Sequence, residues 1–119
     1  MSEPKFDGSG LERLKVDSRL ILDSALDAVD PYKAVNSHVT REGRFLTIDS
    51  YRYDLREIDR VIVVGAGKAS ARMAVAIEEI LGDLISDGLI NVKYGHGEPL
   101  SKIAVWEAGH PVPDESGIE

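Results

Sequence analysis

Not one of the 119 residues is a cysteine, which excludes disulfide frameworks, zinc–cysteine sites and thiol nucleophiles together. Positive charge is scarce: 14 Lys and Arg stand against 21 Asp and Glu, a formal net charge of −7. Nucleic acids and anionic membranes reward clustered Lys and Arg, so neither suits this chain as a partner. No five like charges run together, so there is no acidic or basic tail. No apolar stretch approaches the roughly 18 residues of a membrane span. The opening MSEPKFDGSG lacks the apolar core of a signal peptide. Repeats and low-complexity tracts are absent too, and a cytoplasmic, soluble protein is the expectation that remains.

What is present is globular. An apolar fraction of 43% supports a core, and the length suits one domain but not two. Residues 1–10, rich in Ser, Gly and Pro, read as a flexible tail, and residues 11–119 as a single domain portion. From Leu11 to Val29, Leu14, Ile21, Ala25 and Ala28 recur at helical spacings, and Pro31 ends that helix. PYKAVNSHV opens a short second helix with Pro31 in its first turn. In RFLTIDSYRYDL, Tyr51, Tyr53 and Leu55 alternate with polar residues, and Asp49-Ser50 forms the turn of a hairpin. RVIVV is an unbroken β-branched run, which predicts a strand buried on both faces of a parallel sheet. Residues 68–85 carry an apolar stripe of Ala69, Met73, Ile77, Ile80, Leu81 and Leu84 at helical period. Strands follow at LINVK and IAVWE. Only YGHGEPLSK separates them, too little for a crossover helix, so the third strand is either antiparallel or, as we expect, parallel with a loop return. The chain stops at PVPDESGIE, where Asp114 would cap a helix that has scarcely begun, which reads as a fragment of something longer.

With those strands parallel, GAGKAS, KYGHGE and EAGHPVPDE lie along the carboxyl edge of the sheet, where open α/β sheets bind ligands. GAGKAS is not a dinucleotide fingerprint: Ser70 stands where a third Gly or Ala belongs, and the following strand ends in Lys93 rather than a ribose-binding acid. It is not a Walker A loop either, since no Gly lies five residues before Gly67-Lys68 and Ala69 follows. What remains is a helix N-terminus fed by glycines, a general cradle for an anion. Lys68 there opposes the helix dipole at a cost of roughly 0.3–1 kcal/mol, which a bound phosphate or carboxylate offsets. The alternative is a lysine in solvent that tolerates the penalty. His96 and His110 each follow a glycine near a strand end and fit a general base, a donor to substrate or a turn residue. Asp114 and Glu115 fit metal binding or, for Asp114, helix capping. His38 and Arg72 fit structural and solvated positions.

VVGAGKASARMA, then KYGHGE, then EAGHPVPDESG, together with DAVDPYKAV and YDLREIDRV upstream, resemble the N-terminal domain of the glycerate 2-kinase family. Members of that family were often labelled hydroxypyruvate reductases, and their second domain is called MOFRL. The resemblance covers the chain from about Leu11 to its end. It implies a Rossmann-like α/β three-layer sandwich, present in part, with a mostly parallel sheet beside the N-terminal helices and hairpin. It also implies transfer of the ATP γ-phosphoryl to the 2-hydroxyl of D-glycerate, with Mg²⁺, in a cleft shared with the second domain. Carried over by motif, Lys68 and His110 are the catalytic candidates, and Gly65, Gly67, Lys68, Ser70, His96 and Asp114 the candidates for holding substrate or phosphate. Whether Lys68 serves the phosphoryl group or the carboxylate stays open, and the metal ligands are unassigned. The chain is shorter than a full member, so the missing segments of the same enzyme are expected partners, and another copy of the chain a possible one. The competing readings are an NAD(P)H-dependent hydroxypyruvate reductase and a non-catalytic anion-binding or assembly module.

Overall fold

The computed structural model describes residues 8–118. Helix α1 spans Gly8–Ala28, beginning three residues before the predicted Leu11, and the rest of the predicted tail, residues 1–7, lies outside the described residues. None of its residues is buried, and the described residues up to Asp30 belong to a compact unit of their own. The second unit begins at Pro31, which opens helix α2, Pro31–His38, from its first turn as predicted. No described helix is long and apolar enough to cross a membrane.

Three short strands follow: β1 (Val39–Glu42), β2 (Phe45–Ile48) and β3 (Tyr51–Asp54), antiparallel in that order. Asp49-Ser50 is the predicted β2–β3 turn, with Asp49 in the left-handed region at φ 52°. Strand β1 escaped the sequence reading because VTRE holds one large apolar residue and shows no alternation. It is defined by its partner instead, with Val39 opposite Ile48 and Glu42 opposite Phe45.

The second sheet carries the rest of the fold: β4 (Val61–Ala66), β5 (Ile85–Lys93) and β6 (Ala104–Ala108), in the order β4-β5-β6. Both pairings are parallel, so the third strand does return by a loop. The Glu78 carboxylate anchors that return, accepting from the backbone amides of Ser101 and Ile103, each at 2.9 Å, and from Lys102. Helix α3, Ser70–Leu81, packs against one face of the sheet. It is shorter than the predicted 68–85, because Gly82 takes a positive φ of 54° and a 3₁₀ turn takes over at Gly82–Leu84. Its first turns are small, and Ala71 and Ala74 vanish into a core shared with Leu46, Ile85, Ile90, Val92 and Ile103.

One prediction about β4 needs correction. Its β-branched run called for cover on both faces, yet Ile62 is 55% and Val64 77% exposed. The residues in register with that outer face, Leu89 beside Val64 and Trp106 beside Asn91 and Ala66, are exposed as well. The α/β class and parallel sheet stand as expected, with one face covered by helix.

Candidate functional site

Because β4, β5 and β6 run the same way, their carboxyl ends bring three loops to one edge. There they enclose a cleft of about 190 Å³ lined by Ala66-Gly67-Lys68, by Asn91-Val92-Lys93, and by Ala108-Gly109-His110 with Pro113 and Gly117. Its ionisable side chains are Lys68, Lys93 and His110, and no carboxylate lines it. In a chain of net charge −7, that is a local reversal of sign.

The GAGKAS turn is shaped by backbone bonds. Gly67, at φ 108°, donates its amide to the Asn91 carbonyl at 3.0 Å, which ties the turn to β5. Ser70 Oγ donates to the Gly67 carbonyl at 2.6 Å and reaches the Asn91 carbonyl at 3.4 Å. The Ser70 hydroxyl is thus engaged in holding the turn that leads into α3. The helix has no side-chain N-cap, and the amides of Lys68 and Ala69 make no backbone hydrogen bond among the described residues. These amides, with the Lys68 ammonium beside them, are the donors left for a ligand.

Across the cleft, the loop after β6 is folded by Asp114. Its Oδ1 accepts from the Gly109 amide at 3.1 Å and its Oδ2 from the Tyr94 hydroxyl at 2.9 Å. The Gly109 amide, then the Tyr94 hydroxyl, hold the Asp114 carboxyl below its ordinary pKa. The Tyr94 hydroxyl also lies 3.1 Å from Ser116 Oγ, while Trp106 Nε1 donates to the Ser116 carbonyl at 2.6 Å. Asp114 therefore turns back into its own loop, and the 3₁₀ turn Glu115–Gly117 receives no side-chain cap from it. Between Gly109 and Asp114 the chain passes through a cis His110-Pro111 bond, with His110 exposed at the cleft.

Of the residues singled out from sequence, Gly67, Lys68 and His110 share the cleft, while Gly65, Ser70, His96 and Asp114 stand outside its lining. His96 sits in a tight turn in which its amide bonds to the Lys93 carbonyl at 3.0 Å. His38 pairs with Asp49 at 2.6 Å, and Arg72 lies over the Tyr32 ring and 4.0 Å from Glu98. Sequence reasoning missed Lys93 as a lining residue, having used it only as the wrong residue for a ribose. It also missed the Tyr94–Asp114 bond, for which 20 residues of separation left no local signal. Magnesium requires oxygen ligands. The cleft offers two ammonium groups and an imidazole, and no three His, Asp or Glu side chains converge among the described residues. These residues do not fit Mg²⁺.

The chain is 37% identical over 115 residues to D-glycerate 2-kinase of Thermotoga maritima, covering 96% of this chain and 24% of the relative. It is 39% identical over 98 residues to glycerate 2-kinase of Pyrococcus horikoshii, covering 82% and 21% respectively. The crystal structure of glycerate kinase from Thermotoga maritima superposes with a TM-score of 0.63 at 38% identity, over 90% of this chain and 23% of that one. The chain thus spans about a quarter of the length of the relatives it matches. Residues 17–119 match the family described as Domain of unknown function (DUF4147), and the chain belongs to that family.

Proposed function

We propose that this chain is the N-terminal portion of a kinase that moves the γ-phosphoryl group of ATP to the 2-hydroxyl of D-glycerate, giving 2-phosphoglycerate and ADP. The observation that carries the reading is the cleft lined by Lys68, Lys93 and His110, with no carboxylate, at the carboxyl edge of a parallel sheet. Kinship with proteins named glycerate 2-kinase supports it.

In the transfer, the acceptor oxygen forms a bond to the γ-phosphorus as the bridging P–O bond to ADP breaks. The charge that builds on the transferring oxygens needs cations and amide donors already in place. Lys68 and the free amides at the start of α3 are that set, and His110, on the facing loop, is the candidate to receive the hydroxyl proton. Gly65, Gly67 and Ser70 shape the turn that presents Lys68. Asp114 shapes the loop that presents His110, and His96 is left as the weakest of the binding candidates. ATP is the donor in this reading, but Mg²⁺ has no seat among these residues. The 119 residues alone are expected to be inactive, in a cytoplasmic setting, with the remaining segments of the enzyme as their partner. The reductase alternative lacks an acid for the ribose, because β5 ends in Asn91-Val92-Lys93.

The test is to incubate a polypeptide of the relatives' full length with D-glycerate and ATP, assigning the product by phosphorus NMR. A separate incubation with hydroxypyruvate and NADH is the control. ADP with 2-phosphoglycerate is the expected outcome, and NADH oxidation without ADP would overturn it. Lys68→Ala in that context is expected to keep the fold and lower turnover by roughly a hundredfold or more, whereas unchanged turnover removes Lys68 from the chemistry.

A further inference from the structure

We propose that Lys93 is the anchor for the acceptor's carboxylate, so that the cleft selects a small acid by two separated cations, one for each of two negative groups. This rests on the kinase reading, which gives Lys68 to the phosphoryl group.

Lys93 is the last residue of β5, the middle strand of three. That position places it between the loop after β4, which carries Lys68, and the loop after β6, which carries His110. Along β5, Ile90 and Val92 are buried in the core with α3, and Asn91 and Lys93 alternate with them on the other face of the sheet. Lys68 stands instead at the entrance to α3. The two lysines therefore reach the cleft from different elements, the end of β5 and the entrance to α3, as a ligand with two charged ends requires.

Neither lysine's side chain has a hydrogen bond or ion pair among the described residues, and Lys93 is half-buried where Lys68 is exposed. Two lysines that line one cleft without a counter-charge from the chain leave both charges to be met by solvent or by a ligand. An anion with two negative centres supplies both counter-charges at once. The ends differ in kind: Lys68 has free amides beside it, suiting the several oxygens of a phosphoryl group. Lys93 is a compact point charge with no such amides, which a single carboxylate satisfies. Size agrees as well. A cleft of about 190 Å³ equals the liquid volume of about six waters at ~30 Å³ each. That admits a three-carbon hydroxy acid.

The test uses the 119-residue chain itself, labelled with ¹⁵N and titrated in the NMR tube with D-glycerate, with glycerol and with inorganic phosphate. Glycerol has the same carbon skeleton without the carboxylate. Glycerate is expected to shift the amides around Lys93, and glycerol to leave them unmoved. Lys93→Met should weaken glycerate binding by roughly tenfold, about 1.4 kcal/mol, and leave phosphate binding within about twofold. Lys93→Arg, which keeps the charge, should restore most of it, and Lys93→Gln replaces the Met variant if that fails to fold. The proposal is overturned if Lys93→Met or Lys93→Gln binds glycerate as the parent does, if glycerol matches glycerate, or if glycerate shifts nothing. Lys68→Met separates the two readings. Unchanged phosphate binding in that variant sinks the assignment of Lys68, while the Lys93 result stands or falls on glycerate alone.

Discussion

Gly109 is a position where the loop after β6 admits no side chain. A Cβ there would lie 2.7 Å from the Val112 carbonyl oxygen and 3.0 Å from the Asp114 carboxyl carbon. Asp114 is held by the Gly109 amide and the Tyr94 hydroxyl, so it does not yield without opening the loop. Gly109→Ala is therefore expected to cost about 1–3 kcal/mol, as overpacking does, and to displace His110 from the cleft. Trp106, the single tryptophan, reports it through its bond to the Ser116 carbonyl on the same loop. A red-shifted, broadened emission is expected, and a spectrum and melting curve identical to the parent's would show that the loop relaxes freely. The residues of this loop were legible in the sequence as a motif, because GHPVPD crowds glycine, proline and acid into one turn. Their partners were not. Asp114 looked like the cap of the helix ahead, and only the folded chain brings Tyr94 within reach to turn it backward.

Among the elements, α3 and its two flanking strands were readable because hydrophobic period changes sharply at Gly65–Gly67, from a continuous apolar run to a helical stripe. The return from β5 to β6 was less so, since nine residues of loop chemistry do not say which way the next strand runs. What fixes it is a single side chain on the helix: Glu78 accepts the amides of Ser101, Lys102 and Ile103 as the chain enters β6. Burial pushes the Glu78 carboxyl up, but the three amides together with Lys102 outweigh that, and its pKa lies below the ordinary value. A depressed carboxylate stabilises the fold above its unfolded pKa of about 4.3, and the contribution fades as pH falls through the folded value. Glu78→Ala leaves those amides without their acceptor and is expected to cost about 1–3 kcal/mol at neutral pH, read from the urea midpoint. Glu78→Gln keeps the shape and loses the charge, so its deficit against the parent should be smaller and should shrink on acidification below about pH 4. A deficit that is the same at pH 3 and pH 7 would mean that the amides do not need the charge.

For the whole molecule, a run such as VIVV predicts cover on two faces, and the described residues supply it on one only. Nothing in the run says who supplies the second cover. Here α3 takes one face of the sheet, and Ile62, Val64, Leu89 and Trp106 are left open on the other, in a chain about a quarter of its relatives' length. The open face carries a cost in solubility rather than in folding, because side chains that bury little lose little when changed. The double variant Ile62→Thr/Val64→Thr keeps β-branching on the strand and removes the exposed methyl surface. Its melting temperature should shift by no more than ~0.5 kcal/mol of stability would cause. Its binding of an apolar dye such as anilinonaphthalene sulfonate should fall by roughly half, the exposed leucines of α1 supplying a background common to both proteins. A polypeptide of the relatives' length should bind little dye through this face, and there the double variant should instead destabilise strongly, since the same methyl groups become core. If the substitutions prove harmless in the long form as well, the second layer does not seat on β4, and the sheet's outer face belongs to solvent in the finished protein.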